Sequence, residues 1–169
     1  MIDPPVVRSA TAARQSAPVQ EVTVTTIDRV SRHTSEDVNR RIQEEIRRSV
    51  RHYAGHTHEI PRRLRELRQE WDIERAIEAN ASALAFSGTV LGATGDRRWF
   101  ALPALVTAFL FQHAIQGWCP PVPILRRLGF RTAHEIEQER TALMALRGDF
   151  DGVAGAQDKP AAALAAVEL

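Results

Sequence analysis

Two kinds of hydrophobic pattern divide the chain. From Ser35 to Tyr53, the residues Val38, Ile42, Ile46, Val50 and Tyr53 recur at helical spacing, with Arg40/Glu44, Arg41/Glu45 and Glu44/Arg48 one turn apart as opposite charges. This predicts an amphipathic helix with a salt-bridged outer face. Its apolar stripe is narrow and needs a partner surface, either another helix or lipid headgroups. Ala54-Gly55 and the turn near His58-Glu59 end it. Pro61 then suits the first position of a second helix, with Leu64, Leu67 and Trp71 on one face, expected to run on through Ile73, Ile77 and Asn80.

Beyond that point charge disappears. Ala79 to Gly95 is uncharged, and Trp99 to Leu125 is the longest run in the chain without Asp, Glu, Lys or Arg. A spanning helix needs about 20 mostly apolar residues, and Trp99 to Trp118 supplies them before Pro120-Pro121 ends it. Phe100, Leu102, Leu105, Val106, Phe109, Leu110, Phe111 and Ile115 together favour insertion by roughly 2.5 to 5 kcal/mol, opposed by Pro103, Gln112, His113 and Gln116. The earlier segment is weaker. Leu84, Phe86, Val90 and Leu91 contribute roughly 1 to 2.5 kcal/mol, and the run is about 25 Å long as helix, a little short of a bilayer core. Its small residues Ala85, Gly88 and Gly92, with Ala81 and Thr89, form a ridge that lets a second helix approach closely. The Asp96-Arg97-Arg98 connection is so short that the two segments must be antiparallel neighbours.

After the Pro-rich exit, Thr132 and Glu135 form a T-x-x-E capping box, opening a helix that carries Ile136, Leu143 and Leu146 and stops at Gly148. The Gly- and Ala-rich tail beyond Phe150 has too few large apolar groups to pack beyond a turn or two of helix. The expected fold is therefore all-α: an antiparallel transmembrane helical hairpin with flanking amphipathic helices and disordered termini. Its segments are a disordered N-terminal arm over 1–34, charged amphipathic helices over 35–78, the hairpin over 79–125, a cytoplasmic helix over 126–150 and a disordered tail over 151–169. No cleavable leader is expected, since Met1 to Ala10 lacks a basic region followed by an apolar core.

The totals sharpen this only a little. With 169 residues, a net charge of +1 and 44% hydrophobic residues, the chain suits one hydrophobic unit with hydrophilic arms. Nearly all its basic residues are arginine, Lys159 being the single lysine, but without a charge excess a nucleic-acid partner is not expected. Basic residues do set an orientation. Arg62, Arg63, Arg65, Arg68 and Arg75 precede the hairpin and Arg126, Arg127 and Arg131 follow it, against only Arg97 and Arg98 in the loop, so both termini should be cytoplasmic.

Candidate chemistry is sparse. There is no Walker loop, dinucleotide fingerprint, H-E-x-x-H, G-x-S-x-G or Glu-x-x-His, so neither an enzyme nor a cofactor is expected. His52, His56 and His58 read as a solvated turn rather than a metal site. Glu66, Glu70, Glu74 and Glu78, four residues apart, read as a wet helix face relieved by Arg62, Arg63 and Arg75. Cys119, the single cysteine, is the candidate reactive thiol: near Arg126 and Arg127 its pKa could fall, giving a thiolate able to carry sulfur or bind haem. The bland alternative is a packed cysteine.

Gly117-Trp118-Cys119-Pro120, followed by Leu125 and Leu128-Gly129 and preceded by two hydrophobic segments with a tight turn, resembles the YgaP-like inner-membrane domain. The resemblance covers roughly Trp71 to Thr132. It implies a two-helix membrane hairpin of largely unknown function, with a dimer as the best-known architecture. Some members are fused to a rhodanese domain, which this chain lacks, so sulfurtransferase activity does not carry over. The resulting expectation is a small inner-membrane protein, an interaction or assembly module self-associating through its hairpin by way of the Gly88/Gly92 face, with the lipid bilayer and a cytoplasmic protein as partners. Two rivals stand beside it. One is a soluble helical bundle with Trp99 to Trp118 as its buried central helix, and the other is a membrane-interface thiol or persulfide carrier using Cys119.

Overall fold

The structure, a computed structural model, describes residues 29–167, and every described element is helical. Most of the N-terminal arm read over 1–34 lies outside the described residues. Its last part does not: α1 (Arg29–Arg32) inserts Val30 into the core, and the Thr34 hydroxyl donates to the Val30 carbonyl at 2.8 Å.

The long amphipathic helix is α2 (Glu36–Ala54), burying Val38, Ile42, Ile46 and Tyr53. Next comes α3 (Ile60–Gln69), with Pro61 in its first turn, where a missing N–H costs nothing. The expected continuation into the hairpin does not occur. Glu70 is extended, and Asp72 caps a new helix, α4 (Ile73–Thr94), its carboxylate accepting the Arg75 N–H at 2.7 Å. This break separates Glu66 and Glu70 from Glu74 and Glu78, so the four glutamates do not share one helix face.

A 3₁₀ turn, Arg97–Phe100, leads into α5 (Ala101–Gln116), which lies antiparallel against α4 as the short loop required. The second apolar helix ends at Gln116 rather than Trp118. Gly117 stops it at φ +75°, a left-handed conformation that suits glycine. A Cβ there would also overlap Arg29, whose backbone and Cβ press against this turn. The Pro-rich exit contains one more helix, α6 (Val122–Arg127), with proline in its first turn. The capping box opens α7 (Ala133–Arg147) as expected: the Thr132 hydroxyl accepts the Glu135 N–H at 3.2 Å and the Glu135 carboxylate accepts the Thr132 N–H at 2.8 Å. Gly148 ends α7 at φ +86°. The tail, expected to be disordered over 151–169, instead carries α8 (Lys159–Val167), which buries Ala166 and whose Val167 carbonyl accepts from Arg140 at 2.8 Å.

Packing divides the molecule into two regions. Helices α2, α3 and α7 form a foot around Tyr53, Ile60, Leu64, Leu67, Leu143 and Met144. Helices α4 and α5 form the hairpin. A small cluster of Val30, Ile73, Ile77, Cys119 and Val122 joins the two.

Candidate functional site

Within the hairpin the small residues of α4 sit where the second helix comes closest. A Cβ added to Gly88 would stand 2.7 Å from Pro103 Cδ and 3.0 Å from Leu102 Cβ, and one on Gly92 would meet the Phe100 ring at 3.0 Å. Both glycines are buried and Ala85, one turn away, is half-buried. The ridge thus holds α4 against α5, as a close-approach seam should. It is covered within the chain by Leu102, Pro103 and Phe100.

The hairpin's large side chains point the other way. Phe86 is 72% exposed and Phe111 69%, and Leu84, Val90, Leu91, Leu105 and Ile115 are exposed with them. Fully burying such a side chain is worth about 1.5–3 kcal/mol. Leaving these in water therefore forgoes stability on the order of 5–10 kcal/mol, comparable to the whole net stability of an ordinary domain. One described helical stretch, Arg97–Gln116, is long and apolar enough to cross a membrane, and only 6% of it is buried. A central helix of a soluble bundle formed by this chain alone would be enclosed. The weaker α4 does not meet the same test.

The ends of the hairpin carry a signal that sequence reasoning missed. All three tryptophans of the chain flank it. Trp71 precedes α4 and Trp118 follows α5, both at the foot, while Trp99 sits at the tip beside Arg97 and Arg98. The Arg75 guanidinium lies 4.4 Å from the Trp71 ring, a cation–π contact. The 22 residues of α4 rise roughly 33 Å, and the 3₁₀ turn with α5 roughly 32 Å. The two tryptophan levels are thus about one bilayer core apart, the spacing of interfacial aromatic belts. Glu74, Arg75 and Glu78 occupy the first turns of α4 at the foot level. Gln112, His113 and Gln116 lie at that end of α5, as their sequence positions implied.

The foot holds its charges inside. Arg126 is fully buried and all five of its N–H groups are engaged. Two go to Glu135, at 2.6 and 2.8 Å, and the others to the Phe130 carbonyl, the Asn39 side chain and the Thr34 hydroxyl at 3.1, 2.9 and 3.2 Å. Glu139, also fully buried, accepts from Ser49 at 2.5 Å, from Arg63 at 2.9 and 3.2 Å and from Arg131 at 2.5 Å. Arg131 grips Glu70 with its remaining arm at 2.7 and 2.5 Å. Burial alone would raise the Glu135 and Glu139 carboxyls. The bonds from Arg126 to Glu135, and from Arg63, Ser49 and Arg131 to Glu139, outweigh it and hold both below the ordinary carboxylate value. These carboxylates tie α2, α3, α6 and α7 together, and neither is placed to exchange a proton near neutrality.

Cys119 is 2% exposed, packed in the junction cluster, and burial pushes its thiol pKa up, away from thiolate. The Arg126 charge invoked to lower it is committed to Glu135. The histidine turn is exposed, with His52 and His56 stacked at 4.4 Å. Among the described residues no group of three His, Cys, Asp or Glu side chains could hold a metal ion. No family model, curated protein or solved structure matches the chain.

Proposed function

We propose that the chain is a small integral protein of the inner membrane in which α4 and α5 insert as an antiparallel hairpin, with both termini and the charged foot on the cytoplasmic side. One observation carries this reading: the most apolar described helix is also among the least buried, so its surface needs a covering that the described residues do not provide. The two tryptophan levels and the excess of arginine at the foot support the same orientation, and the resemblance to YgaP-like domains implies the same hairpin. Its role is that of an interaction or assembly module. The hairpin fixes the foot at the membrane surface, where exposed Arg40, Arg47, Arg48 and Arg65, with Glu44 and Glu45, are presented to a cytoplasmic partner.

The test is fractionation of expressing cells followed by a carbonate wash. Retention in the pellet until detergent is added is expected. Tags at both ends should be reachable only from the cytoplasm and a tag between Gly95 and Asp96 only from outside. Release by carbonate as a soluble multi-copy particle would mean that other copies cover α5, and would overturn the membrane reading.

A further inference from the structure

At the base of the hairpin α4, α5 and α6 do not close on one another. They leave a groove of about 480 Å³ walled by Ile77 and Leu84 from α4, Val106 and Leu110 from α5, and Cys119 and Ile124 at the exit. We infer that this groove holds one acyl chain of a phospholipid from the cytoplasmic leaflet, an inference that rests on the membrane hairpin proposed above.

The chemistry of the walls comes first. Asn80 is the one amide or charged side chain among them, and its NH₂ is turned onto the Ala76 carbonyl at 2.7 Å. A polar ligand would lose its hydration there with little in return, whereas an apolar chain loses nothing. Size decides between a chain and a helix. A helix with its side chains is about 10–12 Å across, or roughly 500 Å³ per turn, so the groove would take barely one turn of a docking helix. A slender unbranched chain fits.

Position selects the lipid. The groove starts just above the Trp71/Trp118 level, at Ile77 and Cys119, and runs up the hairpin to Leu84 and Val106; its rim residues Leu84 and Ile124 are exposed, so it opens onto the same outward apolar surface as the rest of the hairpin. The wall formed by α6 is stiff: Val122 and Arg126 are buried on its inner side, Arg126 locked to Glu135, while Ile124 and Leu128, one turn apart, are exposed. Acyl chains begin at this depth, just beneath the headgroups.

The experiment uses the full chain in phosphatidylethanolamine/phosphatidylglycerol vesicles doped with a phospholipid bearing a diazirine on one acyl chain, with adducts mapped by peptide mass spectrometry after illumination. Adducts on the groove peptides 77–84 and 119–125 should exceed those at Phe86 and Phe111 severalfold, although these two are the more exposed. Ala81→Phe, which fills the groove, and Ile124→Trp, which covers its rim, should each cut the groove adducts severalfold and leave Phe86 and Phe111 labelling unchanged. Uniform labelling of every outward apolar residue, or groove adducts indifferent to both substitutions, would overturn the proposal. So would their displacement by excess free fatty acid, which would assign the groove to the free acid. Absence of adducts at Phe86 and Phe111 as well would identify a failure of the membrane reading itself.

Discussion

The foot and the hairpin solve the same problem, holding helices together, with opposite placements of polarity. In the foot, arginine and glutamate side chains are buried and fully hydrogen-bonded, and hydrophobic side chains fill two small clusters around them. In the hairpin, small residues and backbone form the seam while phenylalanine and leucine face outward. The foot is built for water, where apolar burial drives association. Inserted as proposed, the hairpin would gain nothing from that force and would rely on close approach and dispersion. A substitution that wrecks one region should therefore leave the other nearly untouched.

The sharpest way to break that contrast is Arg126→Met. Removing one partner of a fully buried pair leaves Glu135 charged with only the Thr132 N–H to hold it, at a cost of about 3–5 kcal/mol. Chemical unfolding of detergent-solubilised protein, followed by helical circular dichroism, should show loss of the foot transition while membrane retention persists. Adding Glu135→Leu should recover much of the loss, since an apolar pair of similar volume often matches a buried ion pair. A single variant as stable as the parent would show that the network does not hold the foot.

Acid should reproduce this effect reversibly. The Glu135 and Glu139 carboxyls lie below the ordinary glutamate value in the folded chain. Their contribution is thus present above the unfolded value and is lost as pH falls through the folded one, as the unfolded chain takes up protons first. The foot should weaken progressively below about pH 4.5, with the unfolding midpoint dropping further than in the Arg126→Met/Glu135→Leu variant. Parallel acid sensitivity in the two proteins would place the titration elsewhere.

A smaller effect probes the hairpin seam. Gly88→Leu with Gly92→Leu raises the hydrophobicity of α4 but drives side chains into Pro103, Leu102 and Phe100, and overpacking of this kind costs about 1–3 kcal/mol per site. The double variant should stay in the membrane while cross-linking between cysteines introduced on facing α4 and α5 positions declines, with foot unfolding unchanged. Unaltered α4–α5 cross-linking would mean that the two helices can separate without loss.

Local sequence signals made the elements more legible than their meeting points. The span of α2, Pro61 at the start of α3, the Thr132/Glu135 box and the tight Asp96-Arg97-Arg98 turn were legible because each depends on residues within one or two turns. The break before α4 was legible in principle, since Asp72 is a good N-cap, but the apolar series Trp71, Ile73 and Ile77 continues across it and masks it. Before α6, Pro120-Pro121 read as a helix end, although Pro121 at the cap and Pro123 in the first turn suit the start of a new helix. The buried network was not legible at all. Arg63 and Glu139, or Asn39 and Arg126, are 76 and 87 residues apart, and Arg126 and Arg131, counted for topology as surface charges, are inside. The exposure of α5 was likewise beyond sequence, because an apolar run looks the same whether it faces a core or a bilayer.

The smallest expected effect lies where the two regions meet. Glu74 stands in the first turn of α4, where the helix dipole favours a carboxylate, yet it is half-buried and its Oε2 has no hydrogen-bond partner. A carboxylate oxygen stripped of water without a hydrogen bond in return opposes folding, whereas the carboxylates of Glu135 and Glu139 are partnered. Glu74→Gln should therefore stabilise the protein at neutral pH by about 1 kcal/mol or less, measured by thermal unfolding of both proteins. A Gln variant less stable than the parent would mean that the carboxylate is held by a partner at the foot of the hairpin, and the line between the paired charges of the foot and the unpaired ones of the hairpin would have to be drawn beyond Glu74.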